Sequence, residues 1–292
     1  MPNLLVTGAS GFLGWNLCQL AAADWQVYGI GRSRTIAHPY VTAIQADLTD
    51  FSQLRALFQQ IQPDAVMHLA AQSAANICQQ QPEQAYAINV TAAGNMAGLC
   101  ADFQVPCVFT STDLVFDGRN PPYRETDPVS PINHYGEQKA LAEQLMLERY
   151  PLTAICRMPL LFGAAPPTAS SFLQPFLQTL RAEQELKLFV DEFRTPVSGT
   201  IAVQGLLLAL QQDVQGILHL GGKDRLSRYE FGQLMVEILE LPTTGLRACR
   251  QQDVNLAAPR PADVSLDSSK AFGLGYAPPS LRSQLATLKG LV

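Results

Sequence analysis

Charge is sparse in this sequence, and several patterns that would announce a function are missing. Only 15 % of the 292 residues are charged, and the formal net charge is -5. No block of Lys and Arg offsets that balance, which argues against a surface that tracks nucleic-acid phosphates. Cysteine is limited to Cys18, Cys78, Cys100, Cys107, Cys156 and Cys249, with no C-x-x-C pair and no histidine at zinc-ligand spacing. Reduced core thiols are therefore expected rather than a disulfide framework or a metal site. The longest apolar run, Leu206 to Leu210 with its flanks, is too short to span a bilayer and reads as a buried helix. No basic segment followed by a long apolar stretch opens the chain, so a cytoplasmic protein with no membrane partner is expected.

What is present suits a compact globule. Hydrophobic residues make up 47 % of the chain, and its length allows one large core, or one core with a smaller lobe. The first half alternates short β-branched runs with helical stretches. Strands are expected at Leu4–Thr7, Trp25–Ile30, Val41–Gln45, Ala65–Leu69, Cys107–Thr110 and Ala154–Arg157. Helices are expected at Phe12–Ala23, Phe51–Ile61, Pro82–Phe103 and from Tyr135 to about Arg149. This order predicts a Rossmann-type, doubly wound parallel sheet covered on both faces, occupying residues 1–160. Residues 161–292 are expected to form mainly a smaller α/β lobe that binds substrate, with some elements returning to the main sheet. Its candidate pieces are helices at Phe172–Arg181, Thr200–Leu210 and Arg228–Leu239, and strands at Lys187–Val190 and Ile217–Leu220.

Three motifs carry chemistry. Directly after the first strand comes Gly8-Ala9-Ser10-Gly11-Phe12-Leu13-Gly14, a turn that opens a helix. Glycines there let the backbone turn sharply and approach a pyrophosphate, which the helix N-terminus then stabilises. At the end of the second strand, Arg32-Ser33-Arg34 offers cations and no acid, so NADPH is expected, with NADH as the alternative. Asp47, followed by Leu48, is placed either to reach an adenine amino group or to cap the helix from Phe51. Finally, Tyr135 and Lys139 share a helix face at i, i+4, and Ser111-Thr112 follow a strand. A lysine ammonium is expected to lower the tyrosine pKa, and a hydroxyl at the strand end to hold a substrate oxygen.

Together these residues resemble the extended short-chain dehydrogenase/reductases. The likeness runs through Thr7 to Gly14, His68-Leu69-Ala70-Ala71, Asn89-Val90, Tyr135 to Lys139 and Arg157 to Gly163. Within that group the chain is most similar to dTDP-4-dehydrorhamnose reductases, through Ser111-Thr112-Asp113-Leu114-Val115-Phe116-Asp117-Gly118, Pro131 to Gly136 and Arg260 to Asp267. The resemblance implies a catalytic set of Thr112, Tyr135 and Lys139, with Lys139 also binding the nicotinamide ribose. It implies that Leu69, Ala70 and Ala71 line the cofactor groove. Arg194 and Arg260 are candidates for the nucleotide diphosphate, each with a surface salt bridge as its alternative. His134 reads as a packing or loop residue.

The expected reaction is reduction of a 4-keto-6-deoxy sugar nucleotide, in a chain that can form a homodimer. Two other readings compete. An epimerase or dehydratase on the same scaffold is disfavoured because Leu114 cannot transfer a proton and no acid follows the second strand. A non-catalytic NADP-binding regulatory subunit, of the kind that serves methionine adenosyltransferase, resembles the same reductases.

Overall fold

The computed structural model describes residues 1–32, 36, 38–167 and 169–292. Its centre is a seven-stranded sheet of β1 (Asn3–Thr7), β2 (Gln26–Gly31), β3 (Val41–Gln45), β4 (Ala65–His68), β5 (Cys107–Thr112), β6 (Ala154–Met158) and a late strand from the second half. All its pairings are parallel. Between them run α1 (Phe12–Ala21), α2 (Phe51–Ile61), α3 (Ala75–Gln80), α4 (Pro82–Tyr86), α5 (Ala92–Phe103) and α6 (His134–Arg149).

The strands read as near-continuous apolar runs because both faces of the sheet are covered. Alternate residues of β1 separate the two layers. Leu4 and Val6 pack with Leu17 and Cys18 of α1. Leu5 packs on the other side with Leu54 and Phe58 of α2, Met96 of α5 and Met146 of α6.

The second half begins with β7 (Leu161–Phe162), α7 (Leu173–Arg181), β8 (Leu186–Phe189), β9 (Phe193–Arg194), β10 (Val197–Ser198) and α8 (Gly199–Gln211). It continues with β11 (Gly216–His219), β12 (Leu226–Ser227), α9 (Arg228–Leu239), β13 (Leu246–Cys249), α10 (Ser269–Gly273) and α11 (Leu281–Ala286). It does not fold apart from the sheet. β11 pairs with β6, and Val203 and Leu206 of α8 join the cluster that covers α1. A separate apolar cluster gathers Leu177, Leu188, Phe231 and Leu285 from α7, β8, α9 and α11.

Strand order in the main sheet is β11-β6-β5-β4-β1-β2-β3. The chain reverses direction across the sheet between β1 and β4, so the loops leaving their carboxyl ends part and open a crevice there. The turn after β1 forms one wall of this crevice and Leu69–Ala71 the other.

Several local expectations are corrected. Pro82–Phe103 is not one uniform helix, because a π turn at Ala87–Thr91 separates α4 from α5. The extra residue turns Asn89 inward, where its amide spans the Gln72 backbone and the Gln138 side chain. β4 stops at His68 rather than Leu69, because the Leu69 N–H bonds the Thr7 hydroxyl instead of a neighbouring strand. β5 runs on to Thr112, so Ser111 and Thr112 lie on the strand itself.

Candidate functional site

The turn after β1 is built by close backbone approach. Gly8 has φ +69°, and a Cβ there would lie 2.8 Å from the Ala70 nitrogen. A Cβ on Gly14 would overlap the Gly8 carbonyl oxygen. Gly14→Ala is therefore expected to cost about 1–3 kcal/mol by overpacking and to weaken dinucleotide binding. Urea denaturation beside a cofactor titration checks this, and an unchanged midpoint would contradict the packing described. The first turn of α1 carries no acid and no side-chain cap. Its N–H groups are available at the cleft wall, which fits an anionic pyrophosphate.

Thr7 pins the opposite wall. Its hydroxyl oxygen accepts from the backbone N–H groups of Leu69 (3.1 Å) and Ala70 (3.2 Å). Its own proton goes to His68 Nδ1 at 2.7 Å. His68 thus carries its hydrogen on Nε2, and burial pushes its pKa down to about 3, aided by the nearby Lys139.

These walls belong to a cleft of about 1090 Å3, larger than the pocket of a single small ligand, which runs to about 1,000 Å3. Gly8, Ser10, Gly11, Phe12, Leu13, Arg32, Asp47, Leu48, Leu69, Ala70 and Ala71 all line it. So do Thr112, Tyr135, Arg194 and Arg260. Ser33 and Arg34 lie outside the described residues. Asp47 accepts from the Thr49 N–H and hydroxyl, bonds that hold its carboxyl below the usual range. It also faces Arg32 at 3.7 Å. The capping alternative for Asp47 is corrected: Asp50 caps α2, accepting from Gln53 N–H.

The start of α6 sets the position of Tyr135. Asn133 caps it by accepting from the Gly136 N–H at 2.9 Å. Gly136 is pressed so tightly on the Leu114 carbonyl that a Cβ would overlap it. That contact brings Tyr135 against the Thr112–Leu114 turn. The Thr112 hydroxyl accepts from the Leu114 N–H and donates to Asp113 Oδ1 at 3.1 Å. His134 bonds Glu137 at the helix start and does not enter the cleft wall.

One electrostatic expectation reverses. Burial raises the Tyr135 pKa, with the Cys78 and Asp113 groups adding to it and the Thr112 hydroxyl opposing. Lys139 is not a cause of the shift. Its own pKa falls to about 7 through burial, with Glu143 opposing. Its ammonium sits 3.8 Å above the Phe109 ring. Both groups occupy the dry interface between helix and sheet, where desolvation outweighs their mutual effect.

Arg194 is neither a surface ion pair nor an open fork. It is 5 % exposed, and its terminal nitrogens meet Asp113 at 2.8 Å and Glu192 at 3.3 Å. Burial pushes the Asp113 carboxyl up despite this partner. Arg260 reaches Asn76 Oδ1 at 3.3 Å and keeps an edge on the cleft.

Sequence reasoning missed Arg228. Its guanidinium lies 4.2 Å from the Phe172 ring centre and lines the cleft. Burial lowers its pKa to about 10, and its Nη1 has no hydrogen-bond partner among the described residues. One signal was available: a cation in the first turn of α9, against the helix dipole, suits an external anion.

The sheet order and the glycine turn at its switch point are those of a Rossmann-type protein of the extended short-chain dehydrogenase/reductase class. Thr112 and Tyr135 line its cleft, while Lys139 lies buried behind Tyr135 and does not. The chain belongs to the RmlD substrate binding domain family, whose model matches residues 2–289. Methionine adenosyltransferase 2 subunit beta of Xenopus laevis is 32 % identical over 278 residues, 93 % of this chain and 82 % of that protein. The crystal structure of a hypothetical dTDP-4-dehydrorhamnose reductase from Sulfolobus tokodaii superposes with TM-score 0.84 at 30 % identity, covering 93 % of this chain and 94 % of that one. The dTDP-4-dehydrorhamnose reductase of Bacillus anthracis, solved in complex with NADP, shares the fold with TM-score 0.86 at 22 % identity and 99 % coverage of both chains. Among the described residues, no helix is long and apolar enough to cross a membrane.

Proposed function

We propose that this chain is an NADPH-dependent reductase of a 4-keto-6-deoxy sugar nucleotide, with NADH as the alternative reductant and a product such as dTDP-rhamnose. The observation that carries this reading is one cleft in which Thr112 and Tyr135 stand together with a glycine turn and with the free edges of Arg228 and Arg260. The nicotinamide, when bound, supplies a hydride to the carbonyl carbon. Tyr135, kept protonated by burial, gives its proton to the carbonyl oxygen. Thr112 turns its hydroxyl from Asp113 to that same oxygen and holds it. Lys139, in its charged form, offsets the phenolate left behind; to bind the ribose its ammonium would have to leave the Phe109 ring and reach the cleft, which it does not line.

The Gly8–Gly14 turn would hold the cofactor's pyrophosphate, and Leu69, Ala70 and Ala71 would line the cofactor groove. Because both terminal nitrogens of Arg194 are held by Asp113 and Glu192, leaving only its Nε without a partner among the described residues, the substrate diphosphate is assigned to Arg228 and Arg260. A cytoplasmic location and a homodimer belong to the same proposal. Arg32 reads the 2′-phosphate of NADPH. Arg32→Ala is expected to weaken NADPH by about tenfold or more, the worth of a charge-assisted hydrogen bond. NADH affinity should stay within about twofold, since NADH carries no 2′-phosphate for Arg32 to meet. Fluorescence titration with both nucleotides measures the ratio, and equal losses would remove Arg32 from that role.

The identity to methionine adenosyltransferase 2 subunit beta supports a second reading, a non-catalytic dinucleotide-binding subunit. NADPH oxidation with dTDP-4-keto-6-deoxy-mannose, the ketone whose reduction at C4 gives dTDP-rhamnose, separates the two. Turnover supports the reductase. NADPH binding without turnover, together with co-elution with a methionine adenosyltransferase catalytic chain, would support the subunit.

A further inference from the structure

Lys139 and Glu143 lie one turn apart on α6, the spacing at which a lysine and a glutamate normally close an ion pair. Both are buried, at 1 % and 4 % exposure, where such a pair would be strongly favoured once formed. Among the described residues no such pair exists. Arg157 on β6 takes Glu143 instead, with Nε on Oε1 at 3.0 Å and Nη2 on Oε2 at 2.7 Å. The remaining terminal nitrogen, Nη1, meets His219 Nε2 at 3.4 Å. His219 accepts there because its other nitrogen donates to the Tyr123 carbonyl at 3.1 Å. The Arg157 plane also lies 5.0 Å from the Phe116 ring centre. The fork is fixed by Glu143, His219 and the Phe116 ring, and it holds each oxygen of Glu143.

We propose that Arg157 is a positioning residue that holds Glu143 away from Lys139. By gripping both carboxylate oxygens in its fork it orients Glu143 toward β6 and away from an i, i+4 ion pair, which leaves the Lys139 ammonium on the Phe109 ring, one turn from Tyr135. The value of this for catalysis rests on the ketoreductase reading above, but the pairing itself does not.

The other ionisable groups near this point are few. His68 of β4 is neutral, and Cys78 of α3 and Asp113 after β5 act on Tyr135. Glu83 of α4 and Asp102 of α5 are exposed, as is Arg149 at the end of α6. Glu143 is therefore the buried carboxylate on α6 able to claim Lys139.

The chain has only five lysines, Lys139, Lys187, Lys223, Lys270 and Lys289, so 13Cε-lysine NMR can follow each through a pH titration. Lys139→Arg assigns the signal. In the wild-type protein the Lys139 midpoint is expected near 7, where burial places it. Arg157→Gln frees Glu143, and the midpoint should rise by at least about one unit toward the ordinary lysine value. The double variant Glu143→Gln with Arg157→Gln removes the competing carboxylate and should return the midpoint to within about half a unit of wild type. An unmoved midpoint in folded Arg157→Gln overturns the proposal, as does a rise that persists in the double variant. Should Arg157→Gln fail to fold, Arg157→Lys keeps the charge but loses the fork. A smaller rise is then expected, and no rise overturns the proposal.

In the reductase assay, Arg157→Gln should lower kcat about tenfold and the double variant should recover most of it. A loss that the second substitution does not recover would break the link from Arg157 through Glu143 to Lys139. Absence of turnover in the wild-type chain would count against the reductase reading alone, since the NMR midpoints need no substrate.

Discussion

Tyr135→Phe is expected to lower turnover of the keto sugar nucleotide by about 10²–10⁴-fold, the contribution of a positioned general acid. NADPH affinity should change little, because the pyrophosphate and adenine contacts lie on other elements. The reason is the environment of the phenol. Tyr135 is 7 % exposed, and burial raises its pKa, so at neutral pH it holds the proton that the proposed reaction needs. Phenylalanine keeps the ring packed against Leu114, Cys78 and Ala258 while removing the proton. The variant should therefore fold and bind as the wild type does. Steady-state kinetics beside a cofactor titration reads the split. A kcat within about threefold of wild type would remove Tyr135 as the acid.

Arg194→Ala carries the largest expected effect on stability. The side chain is buried between Asp113 and Glu192, which are 2 % and 7 % exposed, and its removal strands both carboxylates. Breaking a buried ion pair by deleting one partner costs about 3–5 kcal/mol. The damage should extend to the site. Asp113 Oδ1 accepts both from Arg194 Nη1 and from the Thr112 hydroxyl, so losing the guanidinium alters the hold on the group proposed to meet the substrate oxygen. Arg260→Ala should behave differently, raising the substrate KM with little loss of stability. Urea midpoints and KM values for the two variants make the comparison. A stable Arg194→Ala protein with a raised KM would restore that arginine as a phosphate ligand.

The parts of this molecule that were legible in the sequence are those written in short periods. The parallel sheet followed from apolar runs alternating with helical stretches, and the cleft from a glycine turn after β1. Tyr135 and Lys139 were readable because one helix turn relates them. What was hidden depends on contacts distant in sequence. Arg194 looks like a loop cation until β9 is seen to bring it against Asp113, 81 residues earlier. Arg228 is one arginine among many until α9 sets it over Phe172. The reversal of the expected tyrosine shift has the same origin. Spacing shows that a lysine is near, but only the packed helix–sheet interface shows how dry both groups are. Asp47 and Asp50 illustrate a smaller limit, since either could cap α2 by position and only the Gln53 contact decides.

The most direct measurement follows the hydride itself. The protein is incubated with NADPH deuterated at C4 of the nicotinamide and with dTDP-4-keto-6-deoxy-mannose generated in place, and the products are examined by NMR and mass spectrometry. The account predicts a sugar nucleotide carrying one deuterium at the former carbonyl carbon, formed in step with NADP and absent with Tyr135→Phe. Unlabelled sugar and unconsumed NADPH, in a protein that binds the cofactor, would contradict it.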